Sequence, residues 1–174
     1  MPRLSTKILA AIMAFLLAGE GAVALACSAF ADKLAQNPIV AKNFDWDDGE
    51  GFAVVNERGR QRRALSGARS WQAKYASFTF TVVGPGLPVS GMNERGLVVE
   101  ALFDYDGFDA VAAQPPADSD HLVSLEWAQY QLDRHATVAE VVAWTRKHGM
   151  AQLALPLHFF VCERNGLCAV IEKG

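Results

Sequence analysis

Short β-type runs dominate the chain between residues 39 and 103. They include Ile39-Val40-Ala41-Lys42-Asn43-Phe44, Phe52-Ala53-Val54-Val55-Asn56 and the alternating segment from Tyr75 to Val83. Gly84-Pro85-Gly86 breaks the last of these, and the Asn93-Glu94-Arg95-Gly96 turn leads into a further strand, Leu97 to Phe103. A polar, Pro-containing connection follows between Asp104 and Asp120. The period then turns helical. One helix is predicted from Leu122 to Arg134, with Leu125, Trp127, Ala128 and Leu132 among its apolar residues. A second opens on Thr137 and Glu140 as a capping box and stops at Gly149, after the basic residues Arg146, Lys147 and His148. A hairpin from His158 to Glu172 ends the chain. Strands, then helices, then strands again predict an α+β layered domain rather than a repeated βαβ fold.

The first 26 residues read as a signal peptide, not as part of the fold. Arg3 and Lys7 supply a positive start, Ile8 to Gly19 an apolar stretch, and Ala24-Leu25-Ala26 the A-x-A cleavage pattern. The apolar stretch falls short of the roughly 20 residues that span a bilayer, so no stable membrane span is expected. Cleavage between Ala26 and Cys27 sends the protein to the periplasm or outside the cell and makes Cys27 its first mature residue. A rival reading takes the junction as a lipoprotein box, in which a lipidated Cys27 would anchor a binding module. Ala24 stands where that signal wants a leucine-like residue.

Composition narrows the classes. Of 174 residues, 51% are hydrophobic and 20% charged, with a formal charge of -3, which suits one soluble domain and gives no basic surface for nucleic acid. The basic run Arg58, Arg60, Arg62 and Arg63 reads as a solvated loop or hairpin edge. The four histidines show no metal-ligand spacing and read as structural. There are three cysteines. With Asn165-Gly166 as a two-residue turn, Cys162 faces Ala169 and Glu163 faces Cys168. The side chains of Cys162 and Cys168 then point to opposite faces as buried, unbridged thiols, leaving Cys27 as the reactive cysteine.

An N-terminal cysteine carries a thiol and a free amine on one residue. The amine titrates at about pH 8, so a good fraction is neutral and takes the thiol proton without any histidine. Asp45 is placed to hold the resulting ammonium, and Lys42 to favour thiolate by charge. On spacing alone a surface ion pair is the better reading of these two residues.

Several segments together carry a resemblance. Ala26-Cys27-Ser28, the run from Val40 to Trp46, Gly91-Met92-Asn93-Glu94-Arg95-Gly96-Leu97 and the final hairpin resemble the choloylglycine hydrolase family of N-terminal-nucleophile hydrolases. That family includes bile-salt hydrolases, penicillin V acylases and broader linear-amide hydrolases. Val55-Asn56-Glu57-Arg58-Gly59, Trp71 to Ser77 and Tyr130-Gln131-Leu132-Asp133 resemble the last group most. The resemblance implies an αββα sandwich with the cysteine at the end of an inner strand. It implies Cys27 as nucleophile, Lys42 in the usual arginine position, Asp45 as the amine-orienting carboxylate and the backbone of Phe103 in the oxyanion hole. Asn93 reads as the turn-former of its motif.

The implied reaction is hydrolysis of a linear N-acyl amide of the penicillin V, bile-salt or acyl-homoserine-lactone type, without cofactor or metal. An inactive family member is the alternative that Lys42 raises, because lysine lacks arginine's planar fork. The resemblance also implies that residues 27–174 form the N-terminal portion of one hydrolase domain and are inactive alone, with a further oxyanion-donating asparagine and an active-site arginine beyond them. It leaves homo-oligomerisation of the complete protein open.

Overall fold

The computed structural model describes residues 27–33, 38–46, 50–67, 69–103, 122–151 and 156–172. The signal-peptide segment, His121 and the whole 104–120 connection lie outside them. Two strands, β1 (Ser28–Asp32) and β2 (Ile39–Asn43), pair antiparallel as a ribbon. β3 (Phe52–Asn56) is followed by a small hairpin of β4 (Gln61–Arg63) and β5 (Ser70–Gln72). The main sheet then adds β6 (Ser77–Thr81), β7 (Ser90–Asn93), β8 (Val98–Phe103), β9 (Leu157–Cys162) and β10 (Cys168–Ile171). Its order is β10-β9-β8-β7-β6-β3, antiparallel throughout.

The helices fall where the pattern places them. α1 spans Ser124–Arg134 and packs on β7 and β8; α2 spans Val138–His148 and packs toward β10. Thr137 caps α2 by accepting from the Glu140 N–H at 3.2 Å, while Glu140 accepts from Ala136 and Thr137 N–H groups. Gly149 closes the helix at φ 68°, where a side chain would be strained.

Strand alternation divides the sheet between two faces. Thr79, Gly91, Val99, Ala101, Phe159 and Val161 turn toward α1, where Trp127 meets Phe159 at a ring distance of 4.6 Å. A Cβ added at Gly91 would come within 2.7 Å of Thr79 Cγ2 and 2.9 Å of Leu132 Cδ1, so the glycine is what lets α1 close on the sheet. This glycine also hid β7 from a reading based on strand-forming residues. The neighbouring positions Phe78, Phe80, Met92, Val98 and Glu100 turn the other way, toward the β1–β2 ribbon.

Two expectations are corrected. The last hairpin has a three-residue loop rather than a two-residue turn. The Glu163 N–H donates to Leu167 O at 2.9 Å, the Gly166 N–H donates to Glu163 O at 2.8 Å, and Gly166 sits at φ 81°. The extra loop residue shifts the register by one and brings Cys162 directly opposite Cys168, with Cα atoms 4.1 Å apart. The two form a disulfide, and Cys27 is the free cysteine.

The basic run is not uniformly solvated either. Arg58 is exposed and pairs with Glu94, but Arg62 turns inward against buried Asp133 at 2.7 Å. That carboxylate also accepts from Trp71 Nε1 at 2.7 Å and Gln129 Nε2 at 2.8 Å, and Arg62 bonds Asn56. Fully used in this way, Asp133 ties the β4–β5 hairpin to α1.

Candidate active site

The ribbon register builds the site. Ser28 pairs with Asn43 and Ala29 with Lys42. Cross-strand partners share a face, and so do residues two apart, so Cys27 at the head of β1, Ala29 and Lys42 all project to one side. That side faces the main sheet. Lys42 crosses to it and donates from Nζ to Val89 O at 2.9 Å and to Ala101 O at 2.5 Å. The ammonium also sits 4.5 Å from the Phe44 ring centroid and 3.9 Å from Glu100 Oε2.

Burial pulls the Lys42 ammonium below the usual lysine range; the charges of Glu100 and Cys27 oppose that shift. Burial likewise pushes the Glu100 carboxyl up, against a hydrogen bond from Ser90 and the charge of Lys42. Of the expected residues, Cys27, Lys42 and Phe103 are brought together. Cys27 and Phe103 line one narrow cavity of about 80 Å³ with Phe44, Trp46, Val89 and Leu157. Its walls are almost wholly apolar. A wider cleft of about 870 Å³ opens between the ribbon and the sheet, with Val40, Lys42, Phe80, Met92 and Glu100 on its walls.

Asp45 lies half-buried between Phe44 and Trp46, whose rings stack with centroids 6.0 Å apart. Its Oδ1 accepts from Asn43 Nδ2 at 2.9 Å; the expected bond to the Cys27 amine is not among those described. Asn93 is structural, as its turn motif predicts. Its amide donates to Leu132 O and His135 O at 2.8 Å, and its oxygen accepts from Arg95 and Leu97 N–H groups. His135 bonds Gln131 at 2.7 Å, and burial lowers it to about pKa 4. Among the described residues no group of three or more His, Cys, Asp or Glu could hold a metal ion, and no helix is long and apolar enough to cross a membrane. Glu100 and Ser90 escaped the sequence reading. The available signal was a lone carboxylate inside the apolar run Val98–Phe103.

Comparison with known proteins gives the family and the fold. The sequence profile of the linear amide C-N hydrolases, choloylglycine hydrolase family, matches residues 27–174. The chain is 30% identical over 171 residues to penicillin V acylase of Pectobacterium atrosepticum, covering 87% of this chain and 45% of the relative. The solved penicillin V acylase of Agrobacterium tumefaciens superposes with a TM-score of 0.68 at 26% identity, covering 86% of this chain and 46% of that one. A variant of conjugated bile acid hydrolase from Clostridium perfringens superposes at 0.65 with 16% identity, over 85% and 48% of the two chains, a likeness of fold. The chain thus spans about half the length of the relatives it matches. α1 and α2, the main sheet and the ribbon supply a helical layer, a sheet and part of the facing sheet of the sandwich.

Proposed function

Since the chain belongs to the choloylglycine hydrolase family of linear amide C-N hydrolases, we propose that its complete protein hydrolyses an N-acyl amide with Cys27 as nucleophile. The observation that carries this reading is the free thiol of Cys27 on the wall of an apolar cavity, on the same ribbon face as the buried Lys42. In the mature protein the Cys27 amine takes the thiol proton, and the Lys42 charge favours the thiolate. Asp45, close behind on the chain, orients the resulting ammonium.

The thiolate attacks the amide carbonyl, and the Phe103 backbone contributes to the hole that holds the oxyanion. The ammonium protonates the leaving amine. Water then cleaves the thioester, releasing the carboxylic acid and regenerating the thiol. The apolar walls formed by Phe44, Trp46, Val89 and Leu157 favour an aromatic or aliphatic acyl group. Penicillin V, bile-salt conjugates and acyl-homoserine lactones are the substrates to assay, the first two named by the relatives' own activities.

Export through cleavage at Ala26-Cys27 is part of the same proposal. The Cys162–Cys168 disulfide supports it, since such bonds persist in oxidising compartments. Intact mass and N-terminal sequencing of the exported protein test the reading. The expected product begins with unmodified Cys27; a lipid adduct or a different first residue sinks the mechanism.

A further inference from the structure

Glu100 is the lone carboxylate in the apolar run of β8, and the mechanism above makes no use of it. Its Oε1 accepts from Ser90 Oγ at 2.9 Å. Its Oε2 is buried without a hydrogen-bond donor among the described residues and faces Lys42 Nζ at 3.9 Å. The two side chains are 7% and 8% exposed. Burying either charge alone is unfavourable, so their juxtaposition calls for a reason.

The surroundings of Lys42 separate its position from its charge. Position is set by neutral acceptors, the carbonyls of Val89 and Ala101, and by the Phe44 ring. Charge is set by the ionisable groups that face it: Glu100 from β8 and Cys27 from the head of β1. Ser90 of β7 brings a neutral hydroxyl, and the nearby carboxylate of Asp45 is engaged with Asn43.

We propose that Glu100 is a positioning residue of this active site, the buried counter-charge that keeps Lys42 cationic beside the Cys27 thiolate. This rests on the nucleophile reading above. Burial drives Lys42 toward the neutral amine, and of the two charges opposing that drive Glu100 acts more strongly than Cys27. Without Glu100, Lys42 gives up its proton at lower pH and the thiolate loses its positive neighbour. A direct effect of Glu100 on Cys27 has the opposite sign, because a nearby negative charge disfavours thiolate. Arginine at position 42 needs no counter-charge, since a guanidinium stays protonated throughout the accessible range.

The test uses the complete mature protein. The rate of Cys27 alkylation by iodoacetamide is followed against pH, beside the pH profile of kcat/KM. Glu100→Gln is expected to move the thiolate-forming limb up by about one pH unit, roughly a tenfold loss of thiolate below it. Lys42→Arg combined with Glu100→Gln should return the limb to that of Lys42→Arg alone. An unshifted or lowered limb in Glu100→Gln overturns the proposal, and so does a double variant as impaired as Glu100→Gln. Thermal unfolding accompanies each variant. Should Glu100→Gln not fold, Glu100→Asp takes its place, with a smaller shift in the same direction expected and no shift counting against the idea. The nucleophile reading is tested separately: hydrolysis that survives Cys27→Ser would sink it, whereas the alkylation profile needs no substrate.

Discussion

The two faces of the main sheet are made from alternate residues of the same strands, yet they are built for different ends. Toward α1, Val99, Phe159 and Val161 meet Trp127 and Leu132 in a closed apolar layer, and the ion pair on that side, Arg62–Asp133, is a 2.7 Å contact reinforced by Trp71 and Gln129. Toward the ribbon, Phe78, Phe80 and Met92 remain about half exposed, and the ion pair is the looser Lys42–Glu100 at 3.9 Å. A saturated pair holds one arrangement. A loosely matched pair next to a thiol leaves charge available to respond to chemistry. The difference teaches that a period of two gives one sheet a closed, saturated face and an open, loosely matched one.

Substitutions can break that division. The largest effect is expected from Cys27→Ser in the complete protein. Amide hydrolysis should fall by a factor on the order of a thousand or more, with chemical unfolding unchanged within about 0.5 kcal/mol. Asp133→Ala should do the reverse, leaving buried Arg62 without its counter-charge. A loss of about 3 to 5 kcal/mol in urea unfolding is expected, and a loss under about 1 kcal/mol would show that the helix face does not depend on this pair.

Asp45→Asn should lower kcat/KM by roughly tenfold to a thousandfold, because it disturbs orientation while keeping the nucleophile. Wild-type kinetics would remove Asp45 from the site. Phe80→Ser probes the open face. A sandwich stacks a second sheet there, so the complete protein should lose about 2 kcal/mol; a neutral outcome would mean that the face stays in water.

The smallest effect is a pH dependence on the helix side. His135 is held at about pKa 4 in the fold against 6.5 ordinarily, mainly by burial. Between those values the unfolded chain takes up a proton that the fold refuses. Stability should therefore fall as pH drops through that window and stay level above it. Glu140, held low by the Ala136 N–H, adds its own loss only below the ordinary carboxylate range. Melting temperature from pH 7 to 5 should slope in the wild type and flatten in His135→Gln.

Much of this arrangement was legible along the chain. The caps of α2 are local chemistry between Thr137, Glu140 and Gly149, and they lie where the residues place them. The strands Phe52–Asn56 and Val98–Phe103 follow from apolar runs bounded by turns. Cys27 and Lys42 stood out through the residues around them, and the fold brings the two to one face of the ribbon. β7 was not legible, because Ser90-Gly91-Met92-Asn93 has no strand preference of its own and is held by neighbours on both sides.

What the sequence by itself determined are the interactions reaching a few residues: strand alternation, helix caps and the breaks between strands. The tertiary structure decided the rest. A single extra loop residue, a matter of backbone closure at Gly166, chose whether Cys162 meets Cys168 or turns away from it. The partner of Lys42 lies on a strand far along the chain, with its Ala101 acceptor 59 residues away. No period or spacing encodes that meeting. It exists because the ribbon folds back over the sheet, and two buried opposite charges are stable there only in each other's presence.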